Sequence, residues 1–450
     1  MKNATTESLC PVCLSRIPAC TEVRAGKVFL QKKCPEHGDF QTLLWSDAAL
    51  YEAWTEQSEH ATTVGCAETP AGNCPHACGL CSEHEGETCT AVFHLLDACN
   101  LRCPVCFADC SVSAKDTRIS LAHIRQMYAA CLAKPAVPSI QLSGGEVTLR
   151  DDLPEIIRMG KAMGLSHIQI NTNGLRLAEQ PEYAACLKNA GADLVYLQFD
   201  GVSDDVYRRL RGRDLLADKL EALRNCQTAG LEVLLVPTVY PGVNDHQLGE
   251  IIALAKQWMP VVKGVHLQPV SFFGRFPEPG PQNRERITIP DMLRLLAEQT
   301  AGEVSLDAII PRRKFDAHCS FSSVFMLGKE GRLHPITQSG QESSLKIVDP
   351  GLDRFAVEAI AFTNKFWRKG GDCACGAETA PPSRVSDWLF HNTLSITGMH
   401  FQDVWNIDLK RLKGCCVHVV TPEGKFIPLC AYYLTSAAGQ RLYGPQEEVI

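Results

Sequence analysis

From residue 90 onward, short apolar runs alternate with longer amphipathic ones. The apolar runs fall at 90–97, 139–143, 167–172, 194–200, 232–240 and 263–271. Between them, 120–132, 151–163, 182–190, 215–229 and 245–258 carry apolar residues at helical spacing. Strands alternating with helices predict an α/β fold with a parallel sheet and helices outside it. Ligands of such sheets bind at the carboxyl ends of the strands. Upstream, 22–33 alternates around Ala25-Gly26 and reads as a β-hairpin. A short helix is expected over 47–60, capped by Ser46 and carrying Leu50, Tyr51 and Trp54. The stretch 62–72 is small and polar, a linker. Downstream, 277–290 is rich in Pro, Gly and charge, a second linker, and 290–300 reads as a helix.

Composition narrows the class. The chain has 450 residues, enough for two or three domains, and 45% hydrophobic content, enough for a packed core. A net charge of −7 speaks against a nucleic-acid binder that works through a basic face. No apolar run is long enough for a membrane span, and the start lacks the apolar stretch of a signal peptide. The 22 cysteines are the outlier. They sit in tight groups in a long chain without a signal, so metal sites in a reducing cytoplasm fit better than disulfides.

The central group is Cys99-Asn-Leu-Arg-Cys103-Pro-Val-Cys106-Phe107. Iron–sulfur clusters normally take four Cys ligands, one per iron. This run supplies three, which leaves one iron for something other than protein. A disulfide would strand one thiol in a very tight loop. Structural zinc, the rival, wants a fourth local ligand. Cys74, Cys78 and Cys81 repeat the spacing, but they follow a linker rather than a strand. They read as an auxiliary cluster, with a fourth ligand from Cys66, Cys89, His84 or elsewhere, or as zinc. Near the start, Cys10-Pro-Val-Cys13 and Cys34-Pro-Glu-His37 are two metal knuckles joined by the hairpin. Cys10, Cys13, Cys34 and His37 make a tetrahedral set for zinc, with mononuclear iron as the rival.

Other groups sit at strand ends. Ser143-Gly144-Gly145-Glu146 closes the second strand, Asn171-Thr172-Asn173-Gly174 the third and Gln198-Phe199-Asp200-Gly201 the fourth. The glycines allow close backbone approach, and Glu146 can pair with an ammonium. Asn173 reads equally as the cap of an Asx turn. Asp200 can serve a ribose, the substrate or an arginine, or be a turn aspartate. Arg208, Arg209, Arg211 and Arg213 read as a solvated helix face, or as phosphate ligands. Cys131, Cys186 and Cys226 read as buried core thiols, and Cys20 as incidental. His266, Gln268 and Ser271 on the last strand are candidates to face a substrate.

The three-Cys loop with an aromatic after it, followed by Gly-Gly-Glu one strand on, resembles the radical S-adenosylmethionine (SAM) superfamily. That resemblance implies a partial (β/α)6 barrel and a [4Fe-4S] cluster on Cys99, Cys103 and Cys106. It implies SAM bound by Gly144, Gly145 and Glu146, with Phe107, Asn173 and Asp200 nearby. Reductive cleavage of SAM then yields a 5′-deoxyadenosyl radical that removes hydrogen from unactivated carbon. The resemblance goes further over residues 8–275, through Cys-Pro-x-Cys, Cys-Pro-Glu-His-Gly, Cys-Gly-Leu-Cys and Val-Asn-Asp-His-Gln. These are similar to the archaeal tetraether lipid synthases, a group whose members have also been described as pterin methyltransferases. It implies four regions: a zinc-ribbon or rubredoxin-like module (1–61), a linker with an auxiliary motif (62–88), the barrel (89–275) and a C-terminal α+β region with cysteines (276–450).

In the C-terminal region the turn Thr421-Pro-Glu-Gly424 brings Cys415 toward Cys430, and with Cys319 and one more ligand they suit a further cluster. Cys319 is followed by Ser-Phe-Ser-Ser, where the family resemblance leads one to expect a further His and Cys. Trp367, Trp388, Phe390, Phe401 and Trp405 are core, or walls of an apolar substrate cavity.

The expected activity is carbon–carbon coupling or alkylation of a lipid chain, with one or two auxiliary clusters and one mononuclear zinc or iron. The expected partners are a small-molecule or lipid substrate, a reducing partner of ferredoxin or flavodoxin type and at most peripheral contact with a membrane. Radical methylation of a pterin-like heterocycle is the alternative. The rival that is not an enzyme, an iron–sulfur electron-transfer module, leaves Gly-Gly-Glu at a strand end without a use.

Overall fold

The computed structural model describes residues 4–56, 74–110, 117–276, 286–311, 316–336 and 391–443. Cys66, Cys373, Cys375, Trp367, Trp388 and Phe390 lie outside the described residues.

The N-terminal unit is a four-stranded antiparallel sheet: β1 (Thr5–Leu9), β2 (Arg16–Arg24), β3 (Lys27–Cys34) and β4 (Gly38–Trp45). The hairpin between β2 and β3 turns at Ala25 and Gly26, both with positive φ (49° and 72°). That pair matches the twist of the flanking strands, as two-residue hairpin turns do. The helix α1 (Ala48–Glu56) follows, with Trp54 buried.

The six expected parallel strands are present. They are β5 (Thr90–His94), β6 (Ser139–Ser143), β7 (Ile168–Thr172), β8 (Leu194–Gln198), β9 (Glu232–Val236) and, after the short β10 (Thr238–Val239), β11 (Val262–Pro269). Each pairs in parallel with the next: β5 with β6, β6 with β7, β7 with β8, β8 with β9, and β9 with β11. The apolar run 232–240 is two strands rather than one. Pro237 has no N–H for a ladder, and only its carbonyl is used, by Gln268 N at 3.0 Å. The crossover helices include α2 (Leu121–Leu132), α3 (Leu153–Ala162), α4 (Leu175–Glu179), α5 (Pro181–Ala190), α6 (Asp204–Arg211), α7 (Leu216–Ala229) and α8 (Leu248–Gln257). Ile140, Leu142, Ile168, Ile170, Val195, Leu197, Val233 and Leu235 face these helices and form the main core. Each such side chain contributes about 1.5–3 kcal/mol by leaving water.

The C-terminal segment continues this sheet at both open edges. On one side β16 (Val417–Val420) pairs in parallel with β5 and carries β17 (Phe426–Pro428). On the other, β15 (Thr393–Met399) pairs in parallel with β11 and antiparallel with β13 (Ser320–Leu327). The strands β12 (Ile310–Pro311) and β14 (Leu333–Pro335) complete a sheet of 13 described strands.

The opposite face of the six strands mixes polar side chains with the buried Val92, Leu194 and Leu234. Register puts Gln141 beside Gln169, Asn171 beside Tyr196, and Tyr196 and Gln198 beside Leu234 and Val236. His266 and Gln268 share that face on β11, and His266 sits beside Thr397 of β15. Gln141, Asn171, Tyr196, Gln198, His266 and Gln268 are all half-buried. Strands of a parallel sheet buried on both faces read as unbroken apolar runs. Here the alternation marks a hydrogen-bonding lumen.

A second core joins the N-terminal sheet to the C-terminal chain through Leu9, Phe40, Val92, Phe272, Phe273, Trp405, Leu412, Val419 and Tyr433. Trp405 and Phe401, expected as core or cavity wall, pack here. Inside it Arg286 grips Asp403 with two bonds of 2.9 Å and lies over the Phe272 ring. Both charged side chains are buried. Removing one partner of such a pair leaves an uncompensated charge, at a cost of about 3–5 kcal/mol. Arg286→Met is therefore expected to lower the denaturant midpoint of the metal-loaded protein by a shift of that size; an unchanged midpoint would show the pair contributes nothing to holding the C-terminal chain.

Candidate active site and metal centres

The Cys99–Cys106 loop crosses the carboxyl ends of the strands, held from four sides. Beneath it, Gly145 N donates to Leu96 O at 2.7 Å and Glu146 N to Ala98 O at 2.9 Å. The two glycines are needed for this approach. A Cβ on Gly144 would lie 2.5 Å from Leu96 O, and one on Gly145 2.2 Å from Ala98 O; Gly144 also sits at φ +144°. Behind the loop, Cys106 and Arg275 exchange two backbone bonds of 2.9 Å. To one side, Asn100 Oδ1 accepts Asn173 Nδ2 at 2.7 Å. To the other, Arg211 Nη1 donates to Val105 O at 2.9 Å, between the second and third cysteines.

Arg211 is the correction to the solvated arginine face. It is buried, and it holds both oxygens of Asp200 at 2.6 and 2.8 Å. Arg208 and Arg213, by contrast, pair at the surface with Asp214 and Asp218, and Arg209 donates to Gly242 O. Of the partners expected for Asp200, the structure shows the arginine. Its remaining bonds come from Thr238 N at 3.0 Å and from Gln198 Nε2. The pair bolts the Cys loop to the ends of β8 and β10. Lys219 is a further residue the sequence reading passed over. It is fully buried, donates to Gln198 Oε1 at 2.8 Å and to Asn173 O, and burial lowers its ammonium to about 8.

Glu146 is a hub at the end of β6. Its Oε1 accepts Thr148 N (3.0 Å), Thr148 Oγ1 (2.6 Å) and Thr172 Oγ1 (2.7 Å), and its Oε2 accepts Asn173 N (2.7 Å). The carboxylate thus ties the ends of β6 and β7, and Oε2 keeps acceptor capacity for an ammonium. Asn173 forms the Asx turn: its Oδ1 accepts Leu175 N at 3.0 Å, while its amide nitrogen holds the loop. Phe107 is 43% exposed and meets Tyr433 edge to face at 4.7 Å.

The donor set fits a cluster. Burial pushes the Cys99 thiol up to about 12 and raises that of Cys103 as well. Leu101 N donates to Cys99 Sγ at 3.4 Å.

The N-terminal knuckles converge as expected. Cys10, Cys13, Cys34 and His37 place their donor atoms within 4.8 Å of one another. His37 Nδ1 is 3.4 Å from Cys34 Sγ and 3.6 Å from Cys10 Sγ, and Cys13 Sγ is 3.9 Å from Cys34 Sγ. Three thiols and one imidazole at that spacing suit a tetrahedral ion.

Cys74, Cys78 and Cys81 share a turn region, where a hydrogen bond with Cys74 and then burial raise the Cys78 thiol. Two of the fourth ligands considered for them are engaged elsewhere. Cys89 Sγ lies 2.8 Å from Cys416 Sγ, and His84 meets Cys415 O at 2.8 Å and His418 at 3.2 Å. The β16–β17 hairpin brings Cys415 toward Cys430, and burial, then the nearness of Cys430 and Cys319, raises the Cys415 thiol. Arg411 Nε donates to Cys319 Sγ at 2.9 Å, an unforeseen cation beside these thiols. Of the helical cysteines, Cys131 and Cys226 are buried, but Cys186 is exposed and not core. His266 bonds Thr397 Oγ1 at 2.7 Å and Ser271 donates to Phe401 O at 3.0 Å.

Comparison with known proteins agrees with this geometry. Residues 93–255 match the radical SAM superfamily, and residues 3–46 match the HMPTM N-terminal zinc ribbon domain. The chain is 36% identical to the 7,8-dihydro-6-hydroxymethylpterin dimethyltransferase of Methanocaldococcus jannaschii, over 95% of this chain and 92% of that one. This chain belongs to that family of radical SAM enzymes. A GTP 3′,8-cyclase of Alkaliphilus oremlandii is 32% identical over 39% of this chain and 55% of its own. Among solved structures, Streptococcus suis SuiB bound to S-adenosylmethionine covers 48% of this chain and 47% of its own at 14% identity and a TM-score of 0.40. As a radical SAM enzyme the protein uses a [4Fe-4S] cluster with SAM, and its zinc ribbon and cysteine groups fit further metal sites. Among the described residues, no helix is long and apolar enough to cross a membrane.

Two outcomes follow from this geometry. Gly145→Ala is expected to push the Leu96–Ala98 segment away, costing about 1–3 kcal/mol of overpacking and lowering the iron retained after anaerobic reconstitution; full iron content would show that the glycine is replaceable. Cys13→Ser is expected to remove the ribbon's metal while the barrel's iron stays, as read by elemental analysis of the purified protein.

Proposed function

We propose that this radical SAM enzyme methylates a pterin-like heterocycle. The observation that carries the reading is the row of polar side chains on the inner face of the barrel strands. Gln141, Asn171, Tyr196, His266 and Gln268 offer amide, phenol and imidazole groups at half-buried positions. Such groups suit a flat heterocycle with donors and acceptors on its rim, because each buried polar edge then finds a partner. A lipid tail needs an apolar wall instead. The relationship to a pterin dimethyltransferase along nearly the whole chain supports the same substrate class. The lipid coupling expected from the resemblance therefore gives way to its alternative.

In this reading Cys99, Cys103 and Cys106 hold the cluster, which with SAM supplies a carbon radical able to remove hydrogen from the substrate. Gly144, Gly145 and Glu146 receive the amino-acid end of SAM, with Glu146 Oε2 facing its ammonium. Phe107 covers the cofactor from its exposed position. Asp200, Arg211 and Asn173 act as positioning residues, because their polar atoms are spent on the loop and the strand ends. A second SAM donates the methyl group. Cys74, Cys78 and Cys81, with Cys319, Cys415 and Cys430, serve auxiliary clusters. A small reducing protein of ferredoxin or flavodoxin type feeds electrons.

The test is anaerobic. The reconstituted enzyme receives dithionite, SAM and either 7,8-dihydro-6-hydroxymethylpterin or a total lipid extract. Deoxyadenosine and S-adenosylhomocysteine are expected to rise together with the pterin, accompanied by a methylated pterin in the mass spectrum. Deoxyadenosine that rises only with lipid, without S-adenosylhomocysteine, would overturn the proposal in favour of lipid coupling.

A further inference from the structure

We infer that His94, Asp97 and Cys110 form a second mononuclear metal site, selective for a zinc-type divalent cation and open at one coordination position. The imidazole, carboxylate and thiol donor atoms all lie within 4.8 Å of one another. None of the three belongs to the three-Cys loop or to the ribbon set.

The three residues reach this point from elements that are fixed independently. His94 ends β5 on the lumen face, in register with Ser143. Asp97 lies in the segment that Gly144 and Gly145 pin in place. Cys110 returns after the Cys loop, where Arg275 Nη2 donates to Cys110 O at 2.6 Å and Arg441 donates to Ala108 O.

The imidazole is oriented as a ligand is. Its Nδ1 meets the buried Tyr433 hydroxyl at 2.9 Å, so Nε2 is the nitrogen turned toward Asp97 Oδ1, 2.7 Å away. Histidines that bind metals almost always engage their other ring nitrogen with an outer partner of this kind. The Cys110 thiol is buried, and its sulfur lies 3.5 Å from Ala108 O, a long contact. Nitrogen, oxygen and sulfur donors together suit zinc, and three protein ligands are the pattern of zinc sites that keep a position for water or a substrate atom. The site stands beside the Cys loop at the carboxyl end of β5, the end at which ligands of such sheets bind.

The test measures metal in the reconstituted holoenzyme. Zinc and iron are quantified in wild type, His94→Gln and Cys110→Ala. Each variant is expected to lose one zinc per chain with iron unchanged, whatever metal the ribbon holds. Zinc content equal to wild type in both variants would overturn the site. Should a variant lose iron as well, zinc X-ray absorption on the wild type decides. A contribution from zinc bound by one sulfur with nitrogen and oxygen supports the site; a shell of three sulfurs and one nitrogen alone, or no zinc, overturns it. Neither result depends on which substrate the enzyme methylates.

Discussion

The backbone of Gly144 and Gly145 lies against that of Leu96–Ala98, closer than any side chain at those two positions would permit. Much of the active site rests on this contact. It fixes the height of the chain as it enters Cys99, and it carries Glu146 to the point where one carboxylate ties the ends of two strands. From there Asn173 reaches the Cys loop on one side, and the Asp200–Arg211 pair reaches it on the other. A loop that brings three thiols together cannot be held by its own short sequence. It is held by backbone contact and buried charge supplied by three different strand ends.

The same economy shapes the rest of the molecule. The open edges of the six-stranded barrel are completed by strands from the far end of the chain, β16 against β5 and β15 against β11. Unpaired edges invite pairing with other chains, and here the chain's own C-terminal part covers them. That return also delivers Cys415, Cys416, Cys430 and Tyr433 to the side of the barrel where the ribbon and the Cys74–Cys81 turn pack. The cysteine groups therefore surround a single apolar body. Arg286–Asp403, buried within it, holds the returning chain.

The proposed substrate class rests on the contrast between the two faces of the same strands. The outer face is apolar and meets the helices, while the inner face carries amides, a phenol and an imidazole. The cofactor's reactivity is common to a large superfamily, so what distinguishes one member is the surface on which its substrate lies. This row of polar side chains favours a heterocycle over a hydrocarbon tail, and the family relationship points the same way.

Much was legible in the sequence alone. Strand and helix periods announced the six βα units, and ligand spacing announced the ribbon set and the three-Cys loop, because these are local patterns repeated within a few residues. The break at Pro237 was missed, because the apolar run 232–240 reads as one strand when proline's missing N–H is left out of account. Other features depended on contacts between distant residues. Arg211 looked like its exposed neighbours, and only the fold buries it against Asp200. Asp97 and Cys110 belong to no local motif, and only β5 and the returning Cys loop set them beside His94. The row of polar side chains on the inner face rested on strand register, which side-chain spacing constrains but does not fix. Residue type and spacing thus determined which chemistry this chain can hold. The tertiary structure decided which charges are buried, which edges are closed and what the open face of the barrel offers, because those are properties of surfaces brought together from distant parts of the chain.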